Sequence, residues 1–368
     1  MRSKVLLVLV SAALVLSFAR GADADNGKKK EPIIPQLTSS PILNASTVPG
    51  NGDVNPYGVA FVPNGFREGG PLESGDILVS NFNASSNLQG TGRTIVRITP
   101  QGQQSLFFQG PMGLGLTTAL GVLRRGFILV GNLPTDSMGN PTQGSLLVID
   151  RHGNMILNLT DSALLNGPWD LTLIDNGSKA KVFVSNVLSG TVTRINVDMD
   201  GDGDKFRVVS KTQIASGYGH RTDPNALVVG PTGLAYDRER DLLYVASTDD
   251  NEIFAVPDPK DTNKDNGAGM VIYQDNAHLR GPLALALAPN GNLITANGDA
   301  QNPDPTGKQF SELIEFTRDG TFVAQFQVDT ASGAAFGLAV NGEGGHIRFA
   351  AVDDATNVLD IWKVRLDD

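Results

Sequence analysis

Pro56-Tyr57-Gly58-Val59-Ala60-Phe61 returns along the chain as Pro111-Met112-Gly113-Leu114-Gly115-Leu116, Pro168-Trp169-Asp170-Leu171-Thr172-Leu173, Pro231-Thr232-Gly233-Leu234-Ala235-Tyr236 and Pro282-Leu283-Ala284-Leu285-Ala286-Leu287. A degenerate sixth copy is Ala335-Phe336-Gly337-Leu338-Ala339-Val340. The third positions stand 55, 57, 63, 51 and 53 residues apart, a spacing typical of arrays that use one supersecondary unit per repeat. After each copy a turn such as Pro63-Asn64-Gly65 leads to a second apolar run, of which Ile77-Leu78-Val79-Ser80-Asn81 and Val182-Phe183-Val184-Ser185-Asn186 are examples. A third run alternates, as in Thr94-Ile95-Val96-Arg97-Ile98, and a tight turn introduces a fourth, as in Thr321 to Phe326. Period-two alternation bounded by Gly, Pro, Asn and Asp is the pattern of short strands, and helical periodicity is absent.

Four short antiparallel strands repeated six times predict an all-β, six-bladed β-propeller. The 31 residues after Gly337 hold three strands and no fourth. The segment from Gln36 to Val48 belongs to no repeat, so it is expected to complete the last blade and close the ring between the termini. This organisation assigns residues 35–368 to a single propeller domain and residues 25–34 to a flexible lead-in. Arg2 and Lys4, the apolar run Val5–Leu16 and Ala22-Asp23-Ala24 form a signal-peptide pattern over residues 1–24, which predicts an exported, periplasmic or extracellular protein. No later segment is apolar and long enough to span a membrane.

The copies resemble the NHL-type and gluconolactonase-like (senescence marker protein) six-bladed propellers, which carry similar Gly-Pro-x-Gly-Leu-Ala starts and Val-x-Asn/Asp second-strand ends. The resemblance implies that the turns into the first strands and the loops between strands two and three share one face around the central channel, where ligands bind. Second strands would deliver Asn81, Asn132, Asn186 and Asn297 to that face, with Asp249, Asp250, Asp299, Asp353 and Asp354 following in the loops. The incoming turns add Asn55, Asn166, Trp169, His220, Arg221 and His278. Such a ring of amide and carboxylate oxygens suits a hard cation or a hydroxyl-rich ligand, while the same residues can instead cap their own loops. The resemblance also implies a divalent metal held by a Glu before the first Gly-Pro with Asn and Asp from other blades. Here Asn55 stands before Pro56 and no Glu stands at any of the six starts, leaving Asn166, Asn186 and Asp299 for such a site.

A second cation motif lies outside the repeats' common plan. Asp198-Met199-Asp200-Gly201-Asp202-Gly203-Asp204 places carboxylates at alternate positions with Gly at the sharp turn, the opening of a calcium loop, although Val209 stands where the bidentate Glu would be. Asp198, Asp200, Asp202 and Asp204 are therefore candidate structural Ca²⁺ ligands, with a similar stretch at Asp258, Asp261, Asn263 and Asp265 in the next repeat.

Composition narrows the rest. Twenty-nine Lys+Arg against 39 Asp+Glu give a net charge of −10, which excludes a generic nucleic-acid binder. With no Cys there is no disulfide and no thiolate site, and with no Gly-rich phosphate loop no nucleotide cofactor is expected. These observations favour a non-catalytic propeller that binds a small-molecule or protein ligand at the channel face, with Ca²⁺ or another divalent cation as a possible cofactor. The alternative is a metal-dependent hydrolase of the gluconolactonase-like type.

Overall fold

In the computed structural model, residues 31–200, 205–298, 300–307, 312–331, 333–343 and 345–365 are described. The signal-peptide segment and residues 25–30 of the lead-in lie outside them. Six four-stranded antiparallel sheets and one two-stranded hairpin form among these residues. From the inside outward, blade 1 consists of Val54–Phe61, Ile77–Asn83, Thr94–Ile98 and Gln104–Gln109, and blades 2 to 5 repeat the plan. Blade 6 joins Ala335–Glu343, His346–Asp353 and Val358–Arg365 to Leu43–Ser46, which pairs with the third of these strands through Leu43↔Ile361 and Ala45↔Leu359. A strand from the start of the chain therefore completes the blade built from its end, and Val358–Arg365 is not left as an unpaired edge. No helix among the described residues is long and apolar enough to cross a membrane.

Alternation along each central strand explains how one blade serves two neighbours. Leu78 and Ile95 point to a cluster shared with blade 2, together with Ile128 and Val130, whereas Ile77, Val79 and Val96 point to one shared with blade 6, together with Ala350 and Leu359. Equivalent clusters fill the other interfaces. Ile33 and Ile34 are buried in the cluster between blades 5 and 6, and the Ile34 N–H donates to the Glu315 carboxylate at 2.8 Å. Packed chain thus begins ahead of Pro35, inside the stretch expected to be a flexible lead-in.

The small third residue of the repeat has a steric cause. A Cβ on Gly58 would lie 2.9 Å from the Thr118 carbonyl, one on Gly233 2.5 Å from the Leu283 carbonyl, and one on Gly337 1.9 Å from the Tyr57 carbonyl. Inner strands of adjacent blades approach too closely around the axis for a side chain on that side. In blade 2 the inner strand is Leu116–Leu123, and Leu120↔Val130 occupies the place of Val59↔Val79. The copy read at Pro111–Leu116 therefore runs just ahead of the strand, where the Gly115 N–H donates to Asn132 Oδ1 at 2.8 Å.

The longest interval in the repeat, between Asp170 and Gly233, contains the extra hairpin Arg221–Asp223/Leu227–Val229. It precedes the inner strand of blade 4, so it stands at the same end of the channel as the turns into the inner strands.

Candidate functional site at the channel mouth

Four rings meet where the inner strands begin. Tyr57 stacks on Phe336 at 4.2 Å and on Phe82 at 4.5 Å, and Trp169 tilts against Tyr57 and Phe82 at 5.8 and 5.6 Å. Leu133, Val187, Leu227 and Val228 complete this cluster, so the inserted hairpin packs directly on the aromatic plug. Above the plug is a cavity of about 480 Å³ whose wall includes Asn55, Tyr57, Trp169, Asp223, Thr248 and Asp354. One pleat further along the strands, a smaller cavity of about 260 Å³ follows the axis and is lined by all six inner strands, with Asp170 in its wall.

Several polar groups here are held in an unrelieved state. Burial raises the Asp354 carboxyl to about 8, assisted by the negative charges of Asp353, Glu312 and Asp329. Glu312 is raised to about 7 for the same first reason, although its Oε2 accepts from the Val328 and Asp329 N–H groups at 2.6 and 2.8 Å. Burial also pushes the Tyr57 hydroxyl upward, with Asp354 adding to it. Asn55 adopts a left-handed backbone at φ 62, which holds its side chain at the rim. Asn55 Oδ1, Trp169 Nε1 and Glu312 Oε1 are buried without a hydrogen-bond partner among the described residues. Each such group costs about 1–3 kcal/mol until a partner arrives, and the first two belong to side chains that line the cavity.

The residues expected at the channel face divide sharply. Trp169 reaches the cavity wall. The strand-end amides bond to nearby backbone and hydroxyl groups instead: Asn81 Nδ2 donates to the Thr47 carbonyl, Asn132 Oδ1 accepts from the Gly115 N–H and its Nδ2 donates to Ser145 Oγ, Asn186 Nδ2 donates to the Thr191 and Thr193 hydroxyls, and Asn297 Oδ1 accepts from the Arg280 N–H. Asp353, which pairs with Ala335 as Asn81 pairs with Pro56, accepts from the Ala355 and Thr356 N–H groups. The Asn166 carbonyl accepts from the Leu188 N–H. Arg221 bridges Asp249 at 2.9 Å and reaches Asp223 and Gln301, which ties the hairpin to blades 4 and 5. Asp250 accepts from the Gly219 N–H and Ser247 Oγ, and His220 Nδ1 lies 3.0 Å from the Tyr218 carbonyl. His278 sits 2.6 Å from Asp275 with its ring stacked on Phe322, and Asp299 lies outside the described residues.

The acidic hairpins are also partly accounted for. Asp198 forms an ion pair with Arg207 across the turn, and the Asp200 N–H donates to the Lys205 carbonyl, while Asp202 and Asp204 lie outside the described residues. In blade 4, Asp261 lies 3.5 Å from Lys181, Asn263 accepts from Arg194, and Asp265 accepts from Gln213. Side chains from blade 3 thus take up three of the four residues of that stretch, Asp261 by an ion pair and Asn263 and Asp265 by hydrogen bonds.

Among the described residues, no three His, Asp or Glu side chains converge closely enough to hold a metal ion. The cavity wall offers two carboxyls, Asp354, which burial keeps largely protonated at neutral pH, and Asp223, which is committed to Arg221 and to the Asn225 and Ala226 N–H groups, with the Asn55 amide oxygen beside them. A protonated carboxyl is a poor ligand for a divalent cation, so this donor set does not fit a resident metal. Sequence reading placed Asn55 and Asp354 near the face without distinguishing them. Tyr57, Phe336 and Glu312 were missed, because inward-facing aromatics in a strand read as ordinary core.

No protein-family model and no curated protein matches the chain. Among solved structures it is similar to regucalcin of Agrobacterium tumefaciens, described as a calcium-binding protein, at 14 % identity over 88 % of this chain and 95 % of that one with a TM-score of 0.50. A candidate gluconolactonase from structural genomics aligns at 13 % identity over 88 % and 94 %, TM-score 0.50. An α-L-arabinanase of Penicillium chrysogenum, solved with arabinobiose, aligns at 12 % over 89 % and 98 %, TM-score 0.52. These neighbours overturn the expectation of a non-catalytic binding propeller, since one of them is described as a candidate gluconolactonase, while at 12–14 % identity all three show the fold alone. The chain is a six-bladed β-propeller that shares its fold with regucalcin and the gluconolactonase-like proteins.

Proposed function

We propose that the protein is a hydrolase that opens lactones, with the cavity over the aromatic plug as its active site. The observation that carries this reading is the buried Asp354 carboxyl on the cavity wall, raised to about 8. A general base works best with a pKa near the working pH, and a group at about 8 is ionised in useful amount in weakly alkaline water. The ionised carboxylate takes a proton from water as the water oxygen attacks the lactone carbonyl carbon. The ring C–O bond then breaks, and the departing alkoxide takes the proton back, giving the open hydroxy acid. Trp169 Nε1–H supplies a donor for the carbonyl oxygen, and Asn55 Oδ1 accepts from a substrate hydroxyl, relieving two buried groups that lack partners. The step uses no metal, in keeping with the donor set. The leader pattern of residues 1–24 supports export of the enzyme.

Purified protein is assayed on a panel of five- and six-membered sugar lactones from pH 6 to 10. Turnover is expected to rise with pH and to level off above about 8, because the base form of Asp354 is populated only there. Asp354→Asn is expected to lower kcat by about 100-fold or more, and chelation with EDTA to leave it unchanged. Loss of turnover on chelation would overturn the side-chain mechanism, and retention of full activity by Asp354→Asn would overturn the site.

A further inference from the structure

Beside the cavity at the channel mouth lies a second one of about 760 Å³, lined by Asn87, Leu88, Gly139, Asn140, Leu188 and Thr222 among others. The two share Gln89, Asp223 and Asn225 as lining residues. A single hydrogen bond, from Gln89 Nε2 to the Asn225 carbonyl at 3.1 Å, spans from the blade 1 loop to the tip of the inserted hairpin at this shared boundary. We propose that the outer cavity is a second subsite that holds the distal ring of a neutral, hydroxyl-rich ligand of two sugar units, whose lactone ring occupies the inner cavity. The proposal rests on the lactonase reading for the identity of the reacting ring, and on the cavities alone for the binding of the second ring.

Three features select that chemistry. The outer wall carries amides at Asn87, Gln89, Asn140 and Asn225 alternating with the apolar surfaces of Leu88, Pro141 and Leu188, which matches the polar edge and C–H faces of a sugar ring. Asp223 is the one charged residue in that wall among the described residues, and its carboxylate is committed to Arg221 and to the Asn225 and Ala226 N–H groups. A charged ligand would find no uncommitted partner of opposite sign there. The loops that form the wall are also braced before any ligand arrives. Thr135 Oγ1 donates to the Gln89 carbonyl at 2.9 Å, and Asp136 Oδ1 accepts from the Met138 and Asn140 N–H groups at 2.8 and 2.9 Å. Preformed walls lower the ordering cost of binding.

Leu88 is 49 % exposed and Thr222 is exposed, and both line the outer cavity without lining the inner one. Leu88→Tyr and Thr222→Tyr therefore fill the outer cavity from the surface without touching the proposed acid–base group. Kinetics are measured with glucono-1,5-lactone and with cellobiono-1,5-lactone. Wild type is expected to have about tenfold higher kcat/KM for the two-ring lactone, and each substitution to remove that advantage while leaving the one-ring lactone unchanged. A binding arm needs no catalysis: the chain has two Trp, so in a Trp362→Phe background the fluorescence of Trp169 reports occupancy as glucose or cellobiose is added. Tighter binding of cellobiose than glucose, abolished by Leu88→Tyr, supports the subsite even if neither lactone is hydrolysed, a result that would sink the lactonase reading alone. Equal binding of the two sugars, or equal use of the two lactones with no effect of either substitution, overturns the subsite.

Discussion

Asp170 occupies the position that Gly58, Gly233 and Gly337 fill in other blades, where backbone approaches forbid a side chain. Its carboxylate does for the third and fourth blades what proximity does elsewhere: Oδ1 accepts from its neighbour Leu171 N–H at 2.7 Å and Oδ2 from the Leu234 N–H across the blade boundary at 3.1 Å. Burial nevertheless dominates and raises the group to about 7. An unfolded Asp titrates near 4, so between about 4 and 7 the folded chain holds a proton that the unfolded chain has released. Folding stability from this group is full below about 4 and is lost as pH rises to about 7, above which it stays low. Asp170→Asn removes the titration and leaves one backbone N–H without an acceptor, which costs about 1–3 kcal/mol at low pH. The fall in melting temperature from pH 5 to pH 8 is therefore expected to be smaller in Asp170→Asn than in wild type, as followed by circular dichroism. An equal fall in both would show that Asp170 does not titrate in this window. The sequence pattern contained this residue as one more tolerated member of the small class. Only its surroundings reveal why a carboxyl there is unusual, since the neighbour that receives it, Leu234, lies more than sixty positions away.

At the scale of elements, the regular strands were legible because burial alternates with period two, and the two short ones at the ring's margins were not equally so. Leu43–Ser46 could be inferred only by elimination, from a last repeat that lacked a strand. The Arg221–Val229 hairpin has strands of three residues, too short for alternation to register, and the sequence marked it merely as extra length between Asp170 and Gly233. Its second strand starts with Leu227 at φ 64, a conformation that costs a non-Gly residue roughly 1 kcal/mol or more, and burial of that side chain on the aromatic plug offsets the cost. The closing strand is held more simply. Ala45 is buried in the cluster that blades 1 and 6 share and pairs with Leu359, so Ala45→Asp would put a carboxylate into an apolar interface at about 2–5 kcal/mol. Urea unfolding is expected to show a lower midpoint with an unchanged slope, and a midpoint equal to wild type would mean that the strand does not seal the ring.

Across the whole molecule, six blade interfaces each bury their own cluster, and none of the blades has a core independent of its neighbours. That dependence explains why the fold could be read from one short motif while the channel mouth could not. Architecture repeats, so its signal is printed six times, whereas the mouth takes Asn55 and Tyr57 from blade 1, Trp169 from blade 3, Asp223 from an insertion and Asp354 from blade 6, each once. The repeated Asn residues drew attention because they recur, and recurrence is what a capping role produces. The same dependence sets the consequence of opening the ring. A chain beginning at Glu31 keeps Ile33, Ile34 and the closing strand, and one beginning at Pro49 loses all three together with their packing on blades 5 and 6. The shorter chain leaves Val358–Arg365 as a long unpaired edge, a template for pairing with another chain, and removes Ala45 from the cluster between blades 1 and 6, which then meet through the rest of that cluster and through the inner-strand approach of Gly337 to Tyr57. Thermal unfolding of the longer chain is expected as one cooperative transition. The shorter chain is expected to melt over a broader range at lower temperature and to elute from gel filtration as dimers and larger species. A sharp, monomeric melt at the same temperature from the chain beginning at Pro49 would show that the ring is held by its inner strands alone.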